Sequence, residues 1–487
     1  MMPMRYITKL LKAEGGSMLV IWGVSFAIIL GIVALSFDLG RLAITRTELQ
    51  SFADSVALSA AGELDGQSDA ITRSQAAAEN LIADRKTFGT GGDVLRGSQD
   101  FTLTFLSDLP GSDTGPTTAT TSDPAEAIYA RVEVNSSTVT MPFGSAFSKL
   151  TGNTAPDEVA NAYAIAGFTQ YACDVTPLMF CLPSSSYAAD EHVGEMLVLR
   201  SGGQGAAWGP GDFGFLDPAK IEVDGEGPCA DKSGAQLDAC LLGAIGSITQ
   251  CFNQRGVDIE PGQKVGIEDA IFNVRFDIYQ SIMNGKKNNP DYAPAPNVIK
   301  GVVPQGGGTC IGNSEELSED TLGLPHDDCF EGGTCERFGT GNWSAGRADY
   351  VDANYGGTDP HSGATTRYAY YLAEIAAAGG ASSTANILTD LSETGRPQCS
   401  PHQSNDPERR VIIAAGIDCA ANSISGAANN VPVKEFIKIF LTEPVGTTGT
   451  SPPQLNIWGE IIGTAGGNGG GGGGNGYVFH DVVQLYR

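Results

Sequence analysis

None of the ten cysteines precedes Cys173, and no two of them form a C-x-x-C pair. That absence excludes a zinc ribbon and a thioredoxin-like redox site, both of which need such a pair. Histidine is sparse too. His192, His326, His361, His402 and His480 stand apart, with no H-E-x-x-H among them, so a zinc hydrolase lacks its ligand set. Lys and Arg number 29 against 56 Asp and Glu, a net charge of −27. With no basic stripe to oppose it, such a field repels nucleic acid. No internal repeat of fixed period is found, which argues against a solenoid. The glycine tract 465–476 lacks the Lys-Ser/Thr of a phosphate loop and reads as a flexible hairpin or surface loop. What is present is a globular composition, 41% apolar and 17% charged, in a chain of 487 residues. That length suffices for two or three domains.

The cysteines are Cys173, Cys181, Cys229, Cys240, Cys251, Cys310, Cys329, Cys335, Cys399 and Cys419. An even number confined to one part of the chain suggests disulfides and an oxidising compartment. Spacing predicts a helix over 236–252, with Leu237, Leu241, Ala244, Ile245 and Ile248 on one face. On that helix Cys240 and Cys251 are about 16 Å apart, too far for a bond that needs Cα atoms within about 7 Å. If that helix forms, these two bond elsewhere or stay reduced; the remaining connectivity stays open.

Charge is also missing from Gly15 to Phe37, and residues 18–37 are almost wholly apolar. Twenty helical residues rise about 30 Å, the thickness of a bilayer's hydrocarbon core. Arg5, Lys9 and Lys12 precede this span and Arg41 and Arg46 follow it. Together with the cysteines, that balance favours the N-terminus inside and the body outside. Two alternatives exist. Ala34-Leu35-Ser36 has the spacing of a signal-peptide cleavage site, although the apolar run is longer than a usual h-region. A prepilin-type leader would require Glu five residues after Gly16, where Ile21 stands. Inside the span Gly23, Ala27 and Gly31 form a small-xxx-small row on which another helix can pack closely.

The helix is expected to continue beyond the span. Leu39, Leu42, Leu49, Ala53, Val56 and Ala60 recur at three- and four-residue spacing. This stripe needs cover, either from the protein's own body or from a partner helix; Leu42, Leu49, Ala53 and Val56 are the partner-helix candidates. A second helical piece follows over 71–86, then a Gly-rich break at 89–92. FTLTFL places Phe101, Leu103 and Phe105 on one side, and AIYARVEV does the same with Ile128, Ala130, Val132 and Val134. Further helices are predicted over 267–284 and 366–378, with buried strands at VIIAAGI, EFIKIFL and YVFHDVVQLY. The class is α+β. Residues 1–17 form the inner N-terminus, 18–37 the transmembrane helix and 38–88 a helical stalk. Residues 89–170 form a small β-rich module and 171–487 a cysteine-containing α/β domain.

No catalytic constellation assembles. Asn342-Trp343-Ser344-Ala345-Gly346 nears the G-x-S-x-G elbow, but Asn occupies the position where a side chain obstructs the sharp turn. Asp231-Lys232-Ser233-Gly234-Ala235 lacks the second hydroxyl of a D-x-S-x-S ion site. Asp349, Asp352, Asn354 and Asp359 are oxygen donors in a Gly-rich stretch, yet they do not fit a twelve-residue calcium loop. The expectation is no cofactor and no metal.

The N-terminal segment carries a specific pattern. Ala13-Glu14-Gly15-Gly16 precedes the span, Asp38-Leu39-Gly40-Arg41 follows it, and Leu49-Gln50-Ser51-Phe52-Ala53-Asp54-Ser55-Val56-Ala57-Leu58-Ser59-Ala60-Ala61 comes next. This resembles TadG-like proteins of the tight-adherence (Flp pilus) assembly system. Later stretches are similar to members of that family in the same order: 173–181, Asn273-Val274-Arg275-Phe276-Asp277-Ile278-Tyr279, 409–419, Trp458-Gly459-Glu460-Ile461-Ile462-Gly463 and 483–487. The von Willebrand A domain of many members has no counterpart. The resemblance implies a non-enzymatic component of pilus assembly in the bacterial inner membrane, its body in the periplasm and its partners other pilus-assembly membrane proteins. A membrane-anchored adhesin and a periplasmic enzyme are the competing expectations.

Overall fold

The computed structural model describes residues 17–486, except 67, 81–83, 89–93, 96, 113–116, 118, 125, 153–157, 174, 203–206, 218–220, 222, 224, 246–250, 255, 262–267, 303–316, 448–454 and 466–478. The chain divides into two compact units, residues 1–169 with 481–487, and residues 170–480. The class is α+β, as expected.

The first unit starts with α1 (Ser17–Ala61), one uninterrupted helix of 45 residues, about 68 Å long. After α2 (Ala70–Glu79) come the short pair β1 (Asp84–Arg85) and β2 (Val94–Leu95). The expected helix over 71–86 is thus shorter, since Asp84 and Arg85 pair as strand with Leu95 and Val94. Then come β3 (Phe101–Leu106), β4 (Tyr129–Val139), α3 (Pro142–Thr151) and β5 (Glu158–Ala172). β3, β4 and β5 pair antiparallel in sequence order. The alternation in FTLTFL and AIYARVEV is realised: Phe101, Phe105, Ala130, Val132 and Val134 are buried in one core, and Leu103 packs against it. The far side of β5 is paired by a strand from near the end of the chain, Phe479–Leu485. The sequence reading places that strand in the 171–487 domain, but from residue 481 onward the chain belongs to this unit. The helical stalk and the β-rich module likewise form one unit rather than two.

The second unit contains β6 (Leu178–Cys181), β7 (Met196–Ser201), β8 (Asp212–Leu216), α4 (Ala235–Gly243), β9 (Phe252–Asn253), β10 (Val257–Pro261) and α5 (Glu268–Asn273). It continues through α6 (Asp328–Glu331), α7 (Ser344–Tyr355), α8 (Arg367–Ala377), β11 (Val411–Ile417), β12 (Ala428–Val431), β13 (Glu435–Leu441), β14 (Gly446–Thr447) and β15 (Leu455–Thr464). We number the strand Phe479–Leu485 β16. Six strands close a ring: β6 pairs β11, β11 pairs β13, β13 pairs β15, β15 pairs β7, β7 pairs β8, and β8 pairs β6. β10 and β12 extend from β8. Closure leaves these strands few open edges. Their apolar runs are buried with little alternation: every residue of β6 is buried, as are Met196 to Leu199 of β7.

Two further helix predictions need correction. The 236–252 helix ends at Gly243, because the Ile245 amide turns to donate to the Asp291 carbonyl and Phe252 enters β9. The 267–284 helix stops at Asn273, whose side-chain amide exchanges hydrogen bonds with the Val445 backbone. A short 3-10 turn, Val274–Phe276, follows, and Asp277 adopts φ 61°. By contrast α8, β3, β11 and β13 lie within a residue of their predicted spans.

The bonds Cys173–Cys251, Cys181–Cys419, Cys229–Cys240 and Cys329–Cys335 are formed. Cys240 and Cys251 bond elsewhere, to Cys229 and Cys173, although the helix expected to separate them ends at Gly243. Cys399 is also disulfide-bonded; Cys310 lies outside the described residues.

Candidate membrane and partner interface

α1 changes character along its length. From Met18 to Phe37 its large apolar side chains are all exposed, including Trp22, Phe26 and Phe37. It is the one helix among the described residues long and apolar enough to cross a membrane. Gly23, Ala27 and Gly31 are exposed within this stretch, and a Cβ added at either glycine would meet nothing within 4 Å.

Beyond the span the same helix lies on its own sheet. Leu42, Leu49, Ala53, Val56 and Ala60 are buried in a core shared with Ala130, Val132 and Val134 of β4 and with Ala160, Ala162, Ala164 and Ala166 of β5. Alanine on both surfaces lets helix and strands approach closely. The stripe proposed for a partner helix is therefore covered by the chain itself, while Leu39 remains half exposed. Its exposed flank borders an open groove of about 580 Å³ lined by polar groups, among them Arg46, Gln50, Asp54 and Asn161.

Asp38 joins these two regimes. It is buried at 3% exposure, and its carboxylate accepts hydrogen bonds from the backbone amides of Gly144 at 2.7 Å and Phe143 at 3.4 Å. Both amides belong to the first turn of α3, where helix N–H groups lack internal partners. The acidic residue of the Asp38-Leu39-Gly40 motif thus caps another helix, and its negative charge complements that helix's positive end. Next to it the Phe37 and Phe143 rings meet edge to face at 5.5 Å. Sequence reasoning missed α3, although Pro142 at its start and Phe143 and Phe147 at i, i+4 were a usable signal.

In the second unit the resemblance stretches hold buried polar anchors. Arg367 is fully buried, pairing with Asp327 at 2.6 Å and Glu460 at 3.2 Å. Asp327 also accepts the amides of Met196, Thr340 and Gly341, and Glu460 accepts those of Arg367 and Tyr368 at the start of α8. Burial raises the Glu460 carboxyl above its ordinary range. Asp277 receives the Gln398, Cys399 and Ser400 amides. Arg409 and Arg410 donate to the carbonyls of Ala293, Gly243, Leu441 and Thr442. Gly459 has a steric role, since a Cβ there would overlap Ile439. Each of the charged residues among them bonds backbone groups of separate segments.

A second buried group centres on Glu374. Its Oε1 accepts from the Tyr350 and Tyr355 hydroxyls at 2.7 and 2.6 Å, and its Oε2 from the Asn297 amide at 2.8 Å. Burial pushes its pKa up to about 7. Asn297 Oδ1, also buried, has no hydrogen-bond partner among the described residues. A rotated Asn297 amide would let a neutral Glu374 donate to that oxygen.

The weaker sequence candidates are not brought together. Ser344 donates to the Asp328 carboxylate at 3.1 Å, not to an imidazole. Asp359 pairs with Arg347, and Asn354 is engaged by the Leu322 backbone. Among the described residues no group of three or more His, Cys, Asp or Glu is placed to hold a metal ion. His326 stacks on Trp458 and contacts Glu443.

No curated protein and no solved structure matches the chain. The segment around α1 gives a positive result: residues 16–63 match the Tad family model, described as Flp pilus-assembly TadE/G-like, so the chain carries a TadE/G-like pilus-assembly segment that coincides with its long N-terminal helix.

Proposed function

We propose that this protein is a membrane-anchored, periplasm-facing and non-enzymatic component of an Flp pilus-assembly machine. The observation that carries this is the coincidence of the TadE/G-like segment, residues 16–63, with α1. Half of that helix is an exposed apolar span and half is the core helix of a folded unit. The disulfides of the second unit support export to an oxidising compartment. Arg5, Lys9 and Lys12 ahead of the span favour retention of the N-terminus inside.

With the Leu42/Leu49 stripe covered internally, contact with other pilus-assembly membrane proteins falls to the span. Gly23, Ala27 and Gly31 are the row on which a second helix packs in lipid. The test combines topology with partnership. A tagged full-length chain is purified from membranes after labelling with a membrane-impermeant thiol reagent, with and without reduction. Expected are thiols reached only after reduction, and pilus-assembly proteins recovered with the wild type but lost with Gly23→Leu/Gly31→Leu. Thiols reached only after lysis and denaturation would overturn the orientation. Full recovery and normal piliation in the double variant would overturn the role of the row.

A further inference from the structure

We propose that α3 is a second membrane contact, an amphipathic helix whose aromatic face enters the headgroup boundary of the bilayer that α1 spans. The inference rests on the anchoring proposed above. Phe37 closes a twenty-residue apolar run of about 30 Å and so stands at the edge of the hydrocarbon. Its ring touches Phe143 at 5.5 Å, and the next residue, Asp38, caps α3 through Gly144 at 2.7 Å. The start of α3 is thereby fixed at the depth where the span ends.

The outward face of α3 is apolar where a water-facing helix would be polar. Pro142, Phe143, Ala146 and Phe147 are exposed, Phe143 at 47% and Phe147 at 68%. Lys149, also exposed, is the basic residue of the last turn. Aromatic rings with a basic rim suit the headgroup region, where interfacial helices bury an apolar face roughly 5–10 Å deep. Charge attraction is not the driving term, because the chain's net charge of −27 opposes anionic lipid. Continuity with the exposed apolar span favours lipid over a soluble partner. Two contacts at one depth would also fix the rotation of α1 about its own axis, which a single helix leaves free.

The test uses the full chain in proteoliposomes made with lipids brominated near the glycerol end or near the chain terminus. Trp22 reports the span. Phe147→Trp in a Trp22→Phe background reports α3, and Phe143→Trp in the same background repeats the measurement one turn away. The buried Trp208 and Trp343 and the partly buried Trp458 give a constant background. Expected is loss of Trp22 emission with the deep bromine, and loss and blue shift of the α3 reporters with the shallow bromine. Quenched Trp22 with both α3 reporters unquenched would overturn this inference and leave the anchor standing. Trp22 unquenched in either lipid would overturn the anchor and the inference with it. Reporters quenched mainly by the deep bromine would show α3 inside the hydrocarbon and overturn the interfacial placement.

Discussion

The two units reach a stable core by different means. The first, with no cysteine, packs apolar residues, many of them alanine, between α1 and its sheet; an ion-pair cluster there, Arg73 with Glu63, Asp65 and Asp69, lies toward solvent. The second is joined by disulfides and by buried charges whose partners are mostly backbone amides and carbonyls. Regular helix–sheet packing satisfies its backbone internally. The second unit has long connections between strands, and irregular chain needs side chains to fill the bonds that secondary structure does not supply. Polar anchors in the second unit therefore mark loop geometry.

That contrast can be broken at its covalent link first. Cys181→Ser/Cys419→Ser opens a loop of 238 residues, and the chain-entropy cost is about 5 kcal/mol. Hydrogen exchange should accelerate in β6, β11 and β13 while the α1 and β4 amides keep their protection. Equal loss in both units would end the distinction. Next comes Arg367→Met, which leaves the Asp327 and Glu460 carboxylates buried without their cation. Loss of about 3–5 kcal/mol is expected, seen as a lower denaturant midpoint for the second unit and an unchanged one for the first. A loss below 1 kcal/mol would mean that the pair is dispensable.

The smallest effect sharpens the comparison through pH. Glu374 is pushed up to about 7, from an ordinary 4.5. The folded state therefore holds a proton that the unfolded state releases, and stability falls as pH rises from about 4.5 to 7, by up to about 3 kcal/mol. Burial raises Asp212, Asp277, Glu435 and Glu460 in the same direction. Urea unfolding across that window should show the second unit most stable at mildly acidic pH, with a shallower slope in Glu374→Gln. An unchanged slope in that variant would remove Glu374 as a source.

Legibility from sequence followed the range of the forces involved. β3, β11 and β13 were readable to within a residue, because alternation or a β-branched run decides them locally. α1 was readable from its length and unbroken apolar spacing. What covers the Leu42/Leu49 stripe was not, since β4 and β5 lie about a hundred residues further on and only packing chooses between them and a partner. The two helices of the second unit that ended early did so for the same reason. Asn273 is claimed by Val445, and Ile245 by Asp291, through bonds that no local window contains. Asp38 was visible as part of a motif, but its work as a cap for α3 needed coordinates.

The pairing of β16 with β5 has a consequence for the order of events during synthesis. All of the second unit lies between these two strands in the chain. While that unit emerges, β5 keeps one side of its ladder open. A strand made after the second unit, β16, is therefore the one that seals the first. A ribosome that stalls before Phe479 would leave a chain whose first unit carries an unpaired strand edge.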